Sequence, residues 1–303
     1  MRRVFCLVIG IAIVAGCNRT AETSADARLP VFAGIPPIAY LVEQIGGAQV
    51  KVDVLVQPGQ DPHTFEPTPQ QVAAFGRAKV FFKIDMPFES TLLEKICDGN
   101  SRLAVVDVAQ GVKKRMLDAP CCKKDEAHSH DHADDAESLD PHIWLSPSLL
   151  KIQAGNIAEG LCHADPLHKK VYEKNLAALQ QRLDVLDRRA QQMLSPYRGR
   201  SFYVFHPGFG YFADAYGLKE EVIEVGGQEP TSRQLHALSV KAKAEGVKTI
   251  FVQPQYDPET VRGIAESLGG QAVTIDGLGR NVIADIEDIA VKIQAAMQES
   301  RGK

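Results

Sequence analysis

The sequence predicts an α/β protein built as two lobes, each a parallel (β/α) sheet, joined by a single long rigid α-helix. Three observations predict it. Short, nearly continuous apolar runs alternate with stretches of helical apolar spacing, first from Leu29 and again after Arg198, a pattern that belongs to parallel sheets covered by helices on both faces. A run from Asp165 to Tyr197 separates the two sets and contains no glycine, with prolines only near its ends. The residues that follow the apolar leader number 287, enough for two medium-sized cores.

Each element follows in order. The opening "MRRVFCLVIGIAIVAGC" has two arginines and a thirteen-residue apolar run ending at Gly16, too short to span a bilayer comfortably. Its end, "IVAGC", resembles a bacterial lipobox. The resemblance implies a signal peptide over 1–16, acylation of Cys17, and a polar tether over 17–28. A plain secretory signal and an uncleaved anchor are the alternatives. The N-terminal lobe is expected over 29–163, with strands in "PVFAGI", "VKVDVLV", "KVFFKID" and "RLAVVDVA". Helices are expected in "PPIAYLVEQIGG", "TPQQVAAFGRA" and "PFESTLLEKICDG", two of which open with proline inside the first turn, a favoured helix start. The segment 121–140 has almost no apolar content and reads as a surface loop. A helix through Cys162 follows, and the linking helix is expected over 164–197, with about 28 helical residues spanning about 40 Å. The C-terminal lobe, 198–303, has strands in "SFYVF", "EEVIEV", "KTIFVQ" and "QAVTI", three intervening helices, and a last helix in "DIEDIAVKIQAAMQES".

Charge and cysteines narrow the function. Without residues 1–16 the chain has 32 basic and 38 acidic residues, a formal charge of −6, and no basic patch, so nucleic acid is excluded as a partner. Cys97, Cys121, Cys122 and Cys162 remain beyond Cys17. In an oxidising compartment they allow three disulfide pairings; a bond between the neighbours Cys121 and Cys122 ranks last because of its strained ring. Thiolate metal binding is the rival reading, and the sequence leaves both open.

The histidines carry the chemistry. His63 in "PGQDPHTFEPTP", His142 in "LDPHIWLSP" and His206 in "SFYVFHPGFGYF" each stand in a loop, as does Asp276 in "QAVTIDGLG". Such loops at strand ends are where α/β folds gather binding groups. They are 79, 64 and 70 residues apart, so local spacing gives no zinc-finger signature. Two come from each lobe, and that joint placement raises them above ordinary loop residues. His128, His130 and His132 are different. They lie in an acidic run with Asp131, Asp134 and Asp135, either a weak zinc collector or a solvated loop with incidental histidines, and composition favours the collector.

These segments together resemble the metal-specific solute-binding proteins of bacterial ABC importers for zinc and manganese. "PGQDPHTFEPTP", "DPHIWLSP", "FHPGFGYFADAYGL" with "IEVGGQEPTSRQL", and "FVQPQYDPETVRGIAESLGG" leading to "VTIDGLG" match that family's ligand segments in order across the mature chain. The resemblance implies a metal site in the cleft between the lobes with His63, His142, His206 and Asp276 as ligands. Proline often follows the family's last aspartate; Gly277 stands there instead. It further implies capture of Zn2+ as the transported ligand, delivery to an ABC permease and its ATPase, a monomer, and a periplasmic or extracytoplasmic location on a lipid anchor.

Three imidazoles and one carboxylate form a borderline-soft, four-coordinate set that suits zinc. A manganese- or iron-binding member of the family is the alternative, although a carboxylate typically replaces the third histidine in manganese-preferring members. Asp61, Glu66 and Asp140 are candidate acceptors behind the imidazoles; Glu224 and Glu229 read as structural or docking residues. A secreted zinc enzyme and an adhesin are further alternatives, but the chain has no H-E-x-x-H, no G-x-S-x-G and no repeats. It is read as a carrier, not an enzyme.

Overall fold

The computed structural model describes residues 28–97, 103–117, 139–224, 230–267 and 269–300. The first sheet contains β1 (Leu29–Ala33), β2 (Val50–Val54), β3 (Val80–Lys83) and β4 (Ala104–Asp107), all parallel, in the order β2-β1-β3-β4. Its connecting helices are α1 (Pro36–Gly46), α2 (Pro69–Phe75) and α3 (Pro87–Cys97). The second sheet repeats the arrangement with β5 (Ser201–Val204), β6 (Lys219–Val222), β7 (Thr249–Val252) and β8 (Gln271–Thr274), ordered β6-β5-β7-β8. Helices α6 (Gly210–Tyr216), α7 (Ser232–Ala244) and α8 (Pro258–Ser267) connect those strands. In both sheets the chain steps to one side of its first strand and then crosses to the other, which opens a crevice at the carboxyl ends of the strands.

Local chemistry explains the helix starts. Thr68 and Thr231 each accept a backbone N–H three residues on, while Gln71 and Gln234 reach back to the capping residue, so two otherwise orphaned donors are satisfied at each end. Helices α1 and α2 begin on prolines, where the missing N–H costs nothing. Gly217, at φ 69°, ends α6 in the left-handed conformation that a side chain would disfavour.

Two sequence expectations need refinement. The four N-terminal strands read as buried apolar runs, but in both sheets only the central β1, β3, β5 and β7 are largely buried; β2, β4, β6 and β8 expose part of their length. The latter are sheet edges, with one neighbour each. The linking segment is also not one uniform helix. After α4 (Pro147–Ala164) it opens with a 3-10 turn at Pro166–His168 and closes with another at Ser195–Tyr197. The α-helix between them, α5 (Lys169–Leu194), has 26 residues, about 39 Å at 1.5 Å per residue. Asp165 ties the opening turn, accepting from Tyr172 Oη at 2.7 Å and pairing with His168 Nδ1 at 2.6 Å.

Helix α5 packs along both lobes. Its buried stripe is Tyr172, Leu179, Leu183, Leu186, Ala190 and Leu194, spaced for one helical face. Arg182 reaches Tyr40 and Gln44 on α1, and Arg189 pairs with Glu287 on the last helix, α9 (Val282–Glu299). One apolar core runs from the first sheet through α4 and α5 to α9 and part of the second sheet, including Leu145, Phe209 and Ile275 at the junction. A smaller core lies around Tyr203, Ile250 and Leu238 in the second lobe. No described helix is long and apolar enough to cross a membrane.

Candidate metal centre

Each of the three histidines is held by the backbone that delivers it. His63 lies in the loop between β2 and α2. Asp61 Oδ1 accepts its backbone N–H at 2.9 Å, and Phe65, two residues on, is buried edge-to-face against Phe88. His142 opens the short turn before α4. Asp140, 1% exposed, accepts from both the backbone N–H of His142 at 2.9 Å and its Nδ1 at 2.8 Å. His206 leaves the end of β5, and its Nδ1 meets Glu224 Oε1 at 2.7 Å. Gln253 brackets its peptide, accepting from His206 N–H at 3.4 Å and donating to its carbonyl at 2.8 Å, and Tyr256 stacks on the ring at 5.2 Å.

These constraints bring the three rings together across the cleft. Their ring centroids are 5.1, 5.4 and 5.7 Å apart, and one ligating nitrogen from each lies within 4.8 Å of the other two. His63 Nε2 and His142 Nε2 are 3.3 Å apart. Two nitrogens on a tetrahedral zinc at 2.0–2.1 Å would be separated by about 3.3–3.4 Å, so this spacing is that of a coordination edge. His206 Nε2 is buried and has no hydrogen-bond partner among the described residues. A buried polar atom left this way calls for an explanation, and a bound cation supplies one. The carboxylates on Nδ1 of His142 and His206 fix the tautomer that leaves Nε2 free as a ligand.

Electrostatics favour the coordinating form. Burial first, then the neighbouring His142 and His206, lowers the pKa of His63 from 6.5 to about 4. Its imidazole is therefore neutral at neutral pH, the state that binds metal. The rings line a pocket of about 30 Å3 with Trp144, Phe209 and Tyr256 in its wall, room for a single water-sized occupant.

Asp276 is not brought into the cluster. Its Oδ1 accepts from Leu278 N–H at 2.8 Å, and beside it the Asp285 carboxyl is pushed up to about 7 by burial and then by the Asp276 charge. The neighbouring Gly277 and Leu278 do line the cavity, and Gly277 O accepts from Trp144 Nε1 at 2.7 Å. Among the candidate acceptors, Asp140 supports an imidazole, Asp61 supports only the His63 backbone and Thr64, and Glu66 is exposed. Cys162 is a free thiol. Cys17, Cys121, Cys122, His128, His130, His132 and Glu229 lie outside the described residues, as does the side chain of Cys97.

Sequence reading missed four partners: Glu224 behind His206, the Tyr256 stack, the Gln253 bracket and the Trp144–Gly277 bond. The Glu224 partnership follows from strand register. Val204 and Val222 are register partners in the parallel pair β5–β6, so residues two further along each chain, His206 and Glu224, emerge side by side.

Comparison with known proteins agrees with this geometry. The family model for the periplasmic zinc-uptake complex component A, ZnuA, matches residues 31–288. The chain belongs to this family. A protein of Chlamydia trachomatis serovar D named for metal binding is 33% identical over 224 residues, covering 74% of each chain. The high-affinity zinc uptake system protein ZnuA of Bacillus subtilis is 28% identical, over 91% of this chain and 89% of its own. A crystal structure of ZnuA superposes with a TM-score of 0.80 at 36% identity, over 89% of this chain and 99% of that one. A ZnuA internal-deletion variant with zinc bound gives 0.79 at the same identity, over 89% and 98%.

Proposed function

We propose that the protein captures Zn2+ outside the cytoplasm and delivers it to an ABC-type importer, holding the ion between its lobes on His63, His142 and His206. The observation that carries this reading is the triad of imidazoles from both lobes, with ligating nitrogens within 4.8 Å and two rings fixed on carboxylates. Family membership and the zinc-bound relative support it. An all-imidazole cluster favours zinc over manganese, which prefers oxygen donors and higher coordination numbers.

Asp276 is the proposed fourth ligand, since its loop already walls the cavity through Gly277 and Leu278. Its Oδ1 accepts from Leu278 N–H, which leaves Oδ2 as the oxygen to coordinate. The same reading assigns 1–16 to the signal peptide, Cys17 to acylation, 17–28 to the tether, 29–163 and 198–303 to the lobes and 164–197 to the link. The protein acts as a monomeric carrier, not an enzyme, and its partners are a permease and its ATPase. The test is metal analysis of the purified protein, followed by stripping and reloading from a chelator-buffered zinc series, with His142→Ala, His206→Ala and Asp276→Ala alongside. One tight zinc per chain, weakened in all three variants, is the expected result. Undiminished zinc in both histidine variants overturns the site, and undiminished zinc in Asp276→Ala removes only the fourth ligand.

A further inference from the structure

Outside the imidazole cluster, Arg115 is a charged group that touches both lobes. It belongs to the N-terminal lobe, and its Nη1 faces Asp140 Oδ2 at 3.6 Å, while the other oxygen of that carboxylate holds His142. Its Nε pairs with Asp214 on α6 of the other lobe at 3.1 Å. The guanidinium lies 5.9 Å from the Tyr211 ring centroid and so close to Gly210 that a Cβ there would collide with it. Gly210 opens α6 four residues after His206, so only glycine lets this arginine lie against the start of that helix.

The backbone makes the same crossing. Arg115 N–H donates to Tyr211 Oη at 2.9 Å, and Tyr211 Oη donates to Asp140 O at 2.9 Å. Asp140 N–H donates to Arg115 O at 2.9 Å, beside an antiparallel bridge between Met116 and Leu139. Residues 115–116 and 139–140 thus form a short ladder beneath His142, braced by a side chain from the other lobe.

We propose that Arg115 is a positioning residue that couples the His142 and His206 halves of the site. Its charge keeps the Asp140 carboxylate turned with one oxygen on His142 Nδ1, which leaves Nε2 for the metal. Its Nε pair with Asp214 and its seat on Gly210 hold that unit against the helix that follows His206. The inference rests on the zinc-site reading above and deepens it.

The experiment measures zinc affinity by chelator competition, and the His142 nitrogens by 15N NMR, in metal-stripped protein. Arg115→Gln is expected to lose about tenfold in affinity, as for other groups behind a metal ligand, and to turn one His142 tautomer into a mixture. Arg115→Lys should restore the single tautomer by returning the charge. Asp214→Asn, a change at an exposed side chain that folding tolerates, should weaken zinc two- to threefold alone and add nothing in the Arg115→Gln background, the non-additivity of a shared contact. Wild-type affinity in Arg115→Gln, an affinity loss with an unchanged tautomer, or strict additivity with Asp214→Asn would each overturn the proposal. His142→Ala is the separate control: zinc retained there refutes the metal site itself, whatever Arg115 does.

Discussion

Metal-free protein should lose stability in mild acid because of one residue, His63. In the fold its pKa is about 4, while the unfolded value is 6.5. Between these values the unfolded chain holds the proton and the folded chain does not, so falling pH favours unfolding. The penalty begins below about pH 6.5 and levels off below about pH 4, at roughly 3 kcal/mol. Between pH 7 and pH 5 the same two values give about 2 kcal/mol. His63→Gln removes the titrating group and keeps an amide of similar length. Urea unfolding of stripped wild type and variant at pH 7 and pH 5 measures the difference, and Trp144, the only tryptophan and 5.2 Å from the His142 ring, reports the transition by fluorescence. The variant should lose about 2 kcal/mol less than wild type between the two pH values. Equal acid losses in the two proteins would refute the argument that burial and the neighbouring rings hold His63 neutral. For zinc the same shift means that proton competition at His63 starts well below the usual histidine range.

Four further outcomes are expected. His206→Glu puts an oxygen donor into the imidazole triad and should narrow the preference for zinc over manganese, mainly by weakening zinc, in a two-metal competition at fixed pH. Trp144→Phe removes the donor to Gly277 O between the lobes and leaves that carbonyl unpaired, which should cost about 1–3 kcal/mol in urea unfolding followed by circular dichroism. Deleting residues 127–136 should abolish weak additional zinc equivalents in a titration and spare one tight site; losing the tight site would merge collector and site. Cys17→Ser should release the protein from the membrane fraction, and identical soluble fractionation of wild type and variant would remove the anchor.

The order of elements was legible in the sequence because it depends on local chemistry. Apolar period distinguishes strand from helix, and proline in the first turn marks where α1 and α2 begin. The three histidines were also legible, since each stands in a loop directly after an apolar run or before a helix start, and a likeness across all segments weighs them jointly. Edge and centre were not distinguishable, because β4 and β3 are both short apolar runs and only the sheet order shows that one of them has a single neighbour.

The tertiary structure alone decided how the site is held. Glu224 on His206, Asp140 shared by His142 and Arg115, and Tyr256 stacked on His206 are contacts between segments that the chain keeps far apart. No local periodicity encodes which carboxylate reaches which ring, because that depends on strand register and on how the lobes pack around α5. The depressed pKa of His63 has the same origin: one imidazole is ordinary until burial and two more rings surround it. Asp276 shows the limit from the other side, since its place at a strand end resembles that of His206, yet its carboxylate stands outside the imidazole cluster, with Oδ1 on Leu278 N–H.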